Sequence, residues 1–356
     1  MSQYVVQRLA SFDDVDKDEW DAVLNQSSVQ TVFQLYSWNR LVWEEHGCDE
    51  LILLAVRTRE GVAVAFAPLF LTEKNGRKII QMITALRGDY ADILLNVMHA
   101  KISIQVILSY IFKEYSEPSI FLLEKIPPES SLLSIAPAVY RKTIITDGAV
   151  CPSLIFETET PESLSKKINN KKMRYYHRRL VKIGDYNIRH LTEPEVIRPY
   201  LKSFFDQHIS RWAKTPWPSR FLEKRERDFY TSMVDTLGSS KVLIFSVLSI
   251  DEKPVGFHLG FGFHRRFIWY KPTYDIEYSK YSPGLVLMKE SIQYALDSGY
   301  TEFDFAAGDE SYKERFANYA RQNHDISFYT GEWNYFLERS KCVLVVAKQH
   351  IKKLLG

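Results

Sequence analysis

The chain has 356 residues, 46% of them hydrophobic, with 46 basic against 44 acidic side chains and a net charge of +2. That length exceeds what one hydrophobic core usually serves, so two domains are expected, and the charge balance excludes a general polyanion-binding surface. Three widely spaced cysteines (Cys48, Cys151, Cys342) exclude a disulfide framework and suit a reducing compartment. The 21 Tyr, 21 Phe and 7 Trp point to a large core and to clefts that stack flat ligands. The start, MSQYVVQRLA, lacks a signal-peptide pattern, and the longest apolar run, near Val62 to Leu71, is too short to span a bilayer. A cytoplasmic protein is expected.

In chain order, Val5 to Leu9 reads as a strand. Helices follow over Lys17 to Asn25 and Ser37 to His46, the second capped by Ser37. Three strand-like runs come next: Leu51 to Arg57, Val62 to Leu71 and Lys78 to Leu86, with turns at Gly61 and Asn75-Gly76. A helix near Ala100 to Tyr115 and a strand, Ser119 to Leu123, close the first half. Leu164 to Lys182 reads as one helix opened by Thr160-Pro161, with eight basic residues, no acid and an apolar stripe. Tyr186 to His190 is strand-like, and Thr192 with Glu195 forms a capping box for the helix that follows. A second helix runs from Arg220 to Leu237. Strands follow over Val242 to Ile250, Pro254 to Phe263 and Phe267 to Tyr274. A helix from Pro283 to Leu296 ends at Gly299, and Glu302 to Ala306 is the next strand. Asp309 can cap a short helix over Glu310 to Asn318, and an amphipathic helix is expected near Tyr335 to Leu354. Both halves therefore read β-α-α-β-β-β-α-β, a mixed α/β architecture with lobes at 1–150 and 151–356.

That order resembles the GNAT acyltransferase fold. The second half resembles the CelD-like branch of that superfamily, related to the FemAB aminoacyltransferases and usually built of two GNAT-like lobes. The residues that carry the likeness are Tyr281-Ser282-Pro283-Gly284-Leu285, Gly299, Phe303-Asp304-Phe305, Gly308 and Tyr312-Lys313. In the first half they are Thr31-Val32-Phe33-Gln34 with Trp38, Ala67-Pro68-Leu69, and Asp89-Tyr90 with Asp92. The resemblance implies an acyltransferase, often one that assembles bacterial surface polysaccharides.

Acyl transfer to an amine requires that a thioester be held, the amine deprotonated, and the oxyanion and leaving thiolate stabilised. A helix N-terminus presents free amides and partial positive charge, which suits a pyrophosphate. The resemblance implies that the amides from Ser282 to Val286, with Pro283 contributing none and Gly284 and Leu285 among them, grip the diphosphate of coenzyme A. The alternative is an ordinary Pro-initiated helix. The turn has one glycine, where the superfamily's familiar loop has an Arg or Gln and two small residues. The corresponding turn of the first half, Asn96 to Lys101, has no glycine, so the donor is expected in the second lobe only.

Trp269, Tyr270 and Lys271 lie on the strand that would line the pantetheine arm, where donor and acceptor meet; core packing is the alternative for Trp269. Alternation along Glu302 to Ala306 places Asp304 opposite Phe303 and Phe305, facing the cleft as a general base or amine-orienting group. His258 is the rival base, and a buried ion-pair role is the alternative for Asp304. Tyr312 is placed to protonate the leaving thiolate and Lys313 to neutralise a phosphate; a solvated helix face is the alternative for both. The acceptor is expected between the lobes, with Arg87, Asp89, Tyr90 and Asp92 reaching a sugar, amine or base, unless they form only a polar turn. His208, Arg211 and Trp212 end a helix, with Arg211 able to grip a phosphate. No metal-ligand spacing is present. The expected reaction is acyl-CoA-dependent N-acylation of an amino sugar, and the resemblance to FdhC-type enzymes acting on dTDP-amino-dideoxyhexoses implies a nucleotide-linked one. Two other readings remain: a FemAB-like aminoacyl-tRNA-dependent transferase acting on a peptidoglycan precursor, favoured by the basic helix, and a non-catalytic binding protein on a degenerate fold.

Overall fold

The computed structural model describes residues 3–47, 49–74, 76–115, 119–308, 310–333 and 335–340. Asn75 of the expected turn, the proposed cap Asp309, Cys48, Cys342 and most of the helix expected near Tyr335 to Leu354 lie outside these residues. The strands are β1 (Tyr4–Leu9), β2 (Glu50–Thr58), β3 (Ala63–Lys74), β4 (Arg77–Met82), β5 (Leu94–Leu95), β6 (Ser119–Ile126), β7 (Thr143–Ile155), β8 (Tyr186–Leu191), β9 (Leu243–Ile250), β10 (Lys253–Phe263), β11 (Arg266–Tyr274), β12 (Glu302–Asp304) and β13 (Tyr319–Tyr329). The helices are α1 (Lys17–Asn25), α2 (Tyr36–His46), α3 (Ala100–Glu114), α4 (Leu132–Val139), α5 (Pro161–Ile168), α6 (Lys171–Val181), α7 (Pro194–Trp212), α8 (Lys224–Gly238), α9 (Pro283–Asp297) and α10 (Ser311–Glu314). They form two compact units, Met1–Ala149 with the stretch from Gln322, and Val150–Arg321.

In the first unit the sheet order is β1-β2-β3-β4-β6-β13, with β5 paired to β3. β4 and β6 run parallel and the other pairs are antiparallel. The alternating apolar residues of β2 and β3 and the inner stripe of α3 (Ile104, Ile107, Leu108, Ile111) fill one core. Asp16 caps α1 through the amides of Asp18 and Glu19, and Gly47 ends α2 in the left-handed conformation. Ser37 does not cap α2: the N-cap position is Leu35, and Ser37 lies inside the helix.

In the second unit the order is β7-β12-β11-β10-β9-β8, where β11 and β12 form the parallel pair. Each unit thus repeats the expected β-α-α-β-β-β-α-β order, and each adds an antiparallel strand beyond the parallel pair. Those added strands, β7 and β13, were not anticipated. Thr143–Ile155 contains Asp147-Gly148 and Pro152, which read as turn formers; pairing partners remote in sequence make it a strand. The basic stretch is two helices rather than one. Asn170 breaks it and accepts the Met173 amide to cap α6, while Thr160 caps α5. The Thr192–Glu195 capping box is not formed either: α7 starts at Pro194 after Glu193, and the Thr192 hydroxyl faces the Glu193 carboxylate.

β12 carries two buried carboxylates into the middle of this sheet. Glu302 pairs with Arg266 (3.0 Å) and Arg321 (2.9 Å), and Asp304 lies 3.5 Å from Arg321 and 3.9 Å from Arg266. Burial alone would raise the Glu302 pKa, but the two guanidiniums outweigh it and hold the group below its ordinary value. Removing one cation leaves a buried charge uncompensated. Arg321→Met is therefore expected to destabilise the protein by about 3–5 kcal/mol, read as a lower urea midpoint. Because the folded pKa of Glu302 is depressed, its contribution is present above the ordinary carboxylate range and is lost as pH falls through the folded value. A urea midpoint in the wild type that does not fall on acidification below about pH 4 would contradict this.

Candidate active site

The parallel pairing of β11 with β12 covers three positions only: Arg266 with Glu302, Phe267 with Phe303, and Ile268 with Asp304. Beyond Ile268, β11 continues to Tyr274, still bonded to β10 on its other side. The strands therefore part, and the edge of β11 from Trp269 onward is open. A β-bulge lies at this point, since Leu259 pairs with Lys271 but Phe261 pairs with Ile268. β11 has one extra residue against Gly260 there.

The bulge is built around His258. Its Nε2 accepts the Tyr270 amide at 3.2 Å, and its ring stacks on the Trp269 indole at 4.0 Å and 13°. Gly260 makes this possible. A Cβ there would lie 2.2 Å from His258 Cε1 and 2.3 Å from the Ile268 carbonyl oxygen. His258 is wholly buried, and burial pushes its pKa well below 6.5. It is a neutral acceptor that shapes the strand, and its burial takes it out of the role of rival base that the sequence suggested.

A cavity of about 330 Å³ opens along the free edge of β11. Trp269, Pro272, Thr273 and Tyr274 form one wall. Ser279, Ser282, Gly284 and Leu285 supply the turn into α9. Arg211 comes from α7, and Tyr312 and Arg315 follow β12. The structure thus gathers Trp269, Ser282, Gly284, Leu285, Tyr312 and Arg211 of the expected residues around one space.

The turn into α9 differs from the expectation. Ser282 has φ 56° and ψ 50°, and Pro283 occupies the first helical position. The Ser282 amide donates to the Ser279 carbonyl, and those of Leu285 and Val286 donate to the Ser282 carbonyl. Gly284 is thus the residue of that row whose amide remains for an anion. Its lack of a side chain also matters: a Cβ would lie 3.1 Å from the Tyr274 ring. Arg211 lies over the same ring, 4.6 Å from its centroid, and donates to the Pro272 carbonyl at 3.1 Å. Its planar charge is held at the cavity wall.

Asp304 does not face the cleft. It has no exposed surface, accepts the Ala306 amide at 2.8 Å and sits between Arg266 and Arg321. Alternation placed it on the correct side of the strand from Phe303, but that side is filled by arginines. Lys313 is also turned inward. Its ammonium bonds the Ala307 carbonyl (2.9 Å) and Glu310 (2.8 Å), tying a loop in which Ala306 and Gly308 both have positive φ. Tyr312 stays at the cavity, half-buried. Burial pushes its pKa up to about 12, with Glu310 adding to the rise and Trp269 and Arg211 opposing it. It is protonated at neutral pH and suited to give a proton.

Tyr270 and Lys271 do not line the cavity. The Tyr270 ring packs 5.2 Å from Phe261, and the Lys271 ammonium lies over Tyr270 at 5.3 Å. Pro283 and Val286 are buried in the helix packing. His208 bonds Ser219 at 2.8 Å, and burial lowers its pKa to about 3; Trp212 stacks beside it at 5.9 Å. In the first unit Tyr90 is fully buried, 6.3 Å from Phe33, and the Asp89 carbonyl accepts from Asn323. Asp92 is 3% exposed, and burial raises its pKa to about 7. Tyr90 and Asp92 are thus packed inside rather than offered to a ring or sugar, while Arg87, in the turn that precedes them, is half-buried. Thr273, Tyr274 and Arg315 were missed. Arg315 had a legible signal, since it lies three residues after Tyr312 on a helical turn.

Residues 168–314 match the family model described as "Acetyltransferase (GNAT) domain". That stretch contains the bulge, the turn into α9 and Tyr312. No curated protein matches the chain. Among solved structures it is similar to a crystal structure of FemX, with 10% identity, 93% of this chain and 99% of that chain covered, and a TM-score of 0.66. It is also similar to the C-terminal domain of a putative lysylphosphatidylglycerol synthetase from Agrobacterium fabrum (12% identity, 94% and 97% covered, TM-score 0.58). A third is L-PGS from Bacillus licheniformis (12% identity, 89% and 93% covered, TM-score 0.58). At these identities the likeness concerns the fold, and the fold is the expected one: mixed α/β with two tandem GNAT-like lobes. The match also supports the expected enzyme class, an acyl-CoA-dependent N-acyltransferase. Among the described residues no helix is long and apolar enough to cross a membrane.

The bulge offers a test of its own. Gly260→Ala must displace either the His258 ring or the Ile268 carbonyl, at a cost of about 1–3 kcal/mol. Thermal unfolding should show a clearly lower Tm; an unchanged Tm would mean that the bulge does not need the missing Cβ.

Proposed function

We propose that the second unit binds acyl-CoA in the cavity along the free edge of β11 and transfers the acyl group to the amine of a small acceptor. The observation that carries this reading is the parting of β11 from β12 after Ile268, with the turn into α9 at the same cavity. The thioester arm runs along the unpaired edge of β11, and the phosphates meet the Gly284 amide, Arg211 and Arg315. The neutral amine attacks the thioester carbonyl, the carbon–sulfur bond breaks, and Tyr312 protonates the departing thiolate. The proton lost by the attacking nitrogen then restores Tyr312. Neither Asp304 nor His258 serves as base, because each is buried and engaged elsewhere.

The acceptor we favour is an amino sugar, nucleotide-linked as in a dTDP-amino-dideoxyhexose, in surface polysaccharide assembly, as the CelD-like and FdhC-type resemblance suggests. The second reading is an aminoacyl-tRNA-dependent transfer to a peptidoglycan precursor. The observation in its favour is α6, where Lys171, Lys172, Arg174, Arg178 and Arg179 crowd one short helix.

Calorimetric titration with coenzyme A tests the donor, and turnover with dTDP-amino sugars against aminoacyl-tRNA tests the acceptor. Gly284→Val should weaken coenzyme A binding at least about tenfold, because the side chain meets Tyr274 and covers the amide. Unchanged affinity would remove the phosphate site. Tyr312→Phe should lower kcat about 10²-fold or more with donor affinity kept. With its pKa near 12, the Tyr312 proton should impose no loss of kcat between pH 7 and 9. A falling limb in that range that vanishes in Tyr312→Phe would contradict the assigned protonation state.

A further inference from the structure

We propose that the Trp269 indole N–H donates a hydrogen bond to the carbonyl oxygen of the bound thioester and holds it as that oxygen becomes negative. This rests on the acyltransferase reading above and adds a side-chain role that the bulge itself does not supply. Trp269 lines the cavity, yet it is 3% exposed, and its Nε1 has no hydrogen-bond partner among the described residues. A buried donor without an acceptor is unfavourable, so a ligand acceptor that satisfies it gains what folding left unmet. The Tyr312 hydroxyl is close enough for the indole to lower its pKa, but no hydrogen bond of ordinary geometry joins the two. The indole donor and the proton donor for sulfur therefore lie side by side.

The backbone donor at this level is not available for the task. The Tyr270 amide at the bulge is bonded to His258 Nε2 at 3.2 Å. The same histidine stacks on the indole at 4.0 Å, and Phe303 lies 5.9 Å from it, so the ring is fixed before any ligand arrives. A donor held in place needs no reorganisation when charge develops. In the step itself, the amine nitrogen bonds the carbonyl carbon and the C=O pair moves onto oxygen, where the Trp269 N–H receives it. Collapse restores C=O and breaks the C–S bond with its electron pair on sulfur, which takes the Tyr312 proton, and the proton lost by the nitrogen returns to Tyr312. Trp269 keeps its own proton throughout.

The test uses the full chain and acetyl-CoA labelled with ¹³C at the thioester carbonyl. Bound to the wild type, that carbon should resonate downfield of its position in free acetyl-CoA, as a hydrogen-bonded carbonyl does. Trp269→Phe should return it toward the free position, with the dissociation constant changed less than about threefold and kcat lowered about 10²–10³-fold. Should Trp269→Phe fail to fold, 3-benzothienylalanine at residue 269 keeps the shape of the ring and removes the N–H. The same ¹³C shift in wild type and in either folded variant overturns the proposal. Failure of the wild type to bind acetyl-CoA at all overturns the acyltransferase reading itself, and this proposal with it.

Discussion

The second unit depends on where two parallel strands stop holding each other. From Arg266 to Ile268, β11 is bonded to β12, and the seam is locked by two carboxylates of β12 against Arg266 and Arg321. One residue further on, the bulge at Trp269 and Tyr270 turns β11, and among the described residues no strand pairs with its far side from there to Tyr274. The seam below is buried and charged, and the opening above is lined by aromatic residues. A firm hinge point matters because a binding groove between strands must not close by further pairing, which exposed strand edges favour. His258 prevents this at the bulge by taking the Tyr270 amide.

The first unit shows the same topology without that opening. Its parallel pair, β4 with β6, runs from Lys78 to Gln81, and β4 ends at Met82. There is no long free edge after the pairing stops. β3, moreover, is paired by the short β5 at Ala65 and Phe66 rather than by an extended β4. At the corresponding place the strand has 6 residues in the first unit and 9 in the second, and the cavity along a parted parallel pair follows the longer one.

Several expectations failed for one shared reason. Alternation distinguishes the two faces of a strand, but not whether the polar face meets solvent or other protein. Asp304 was on the face opposite Phe303, as read, yet Arg321, remote in sequence, covers it. Lys313 was read as reaching a phosphate, with a solvated helix face as the alternative, and a loop of positive-φ residues draws its ammonium inward. Ser37 and Thr192 are good capping residues one or two positions away from where their helices begin, because packing of the buried faces sets the start. His258 carried no local sign of its role, which needs Gly260 across the hairpin and the bulge opposite.

The repeated β-α-α-β-β-β-α-β order and the position of the Pro-Gly turn were determined by the sequence, because hydrophobic period, turn residues and helix punctuation are local properties. Trp269, Tyr312 and Arg211 could also be named from it as residues of interest. Only the tertiary structure decided which of them share a cavity, which buried carboxylates are neutralised and which amides remain unbonded. Those outcomes depend on strand register and on partners up to about 170 residues away, as with Arg321 and Ser153, and no local pattern encodes them.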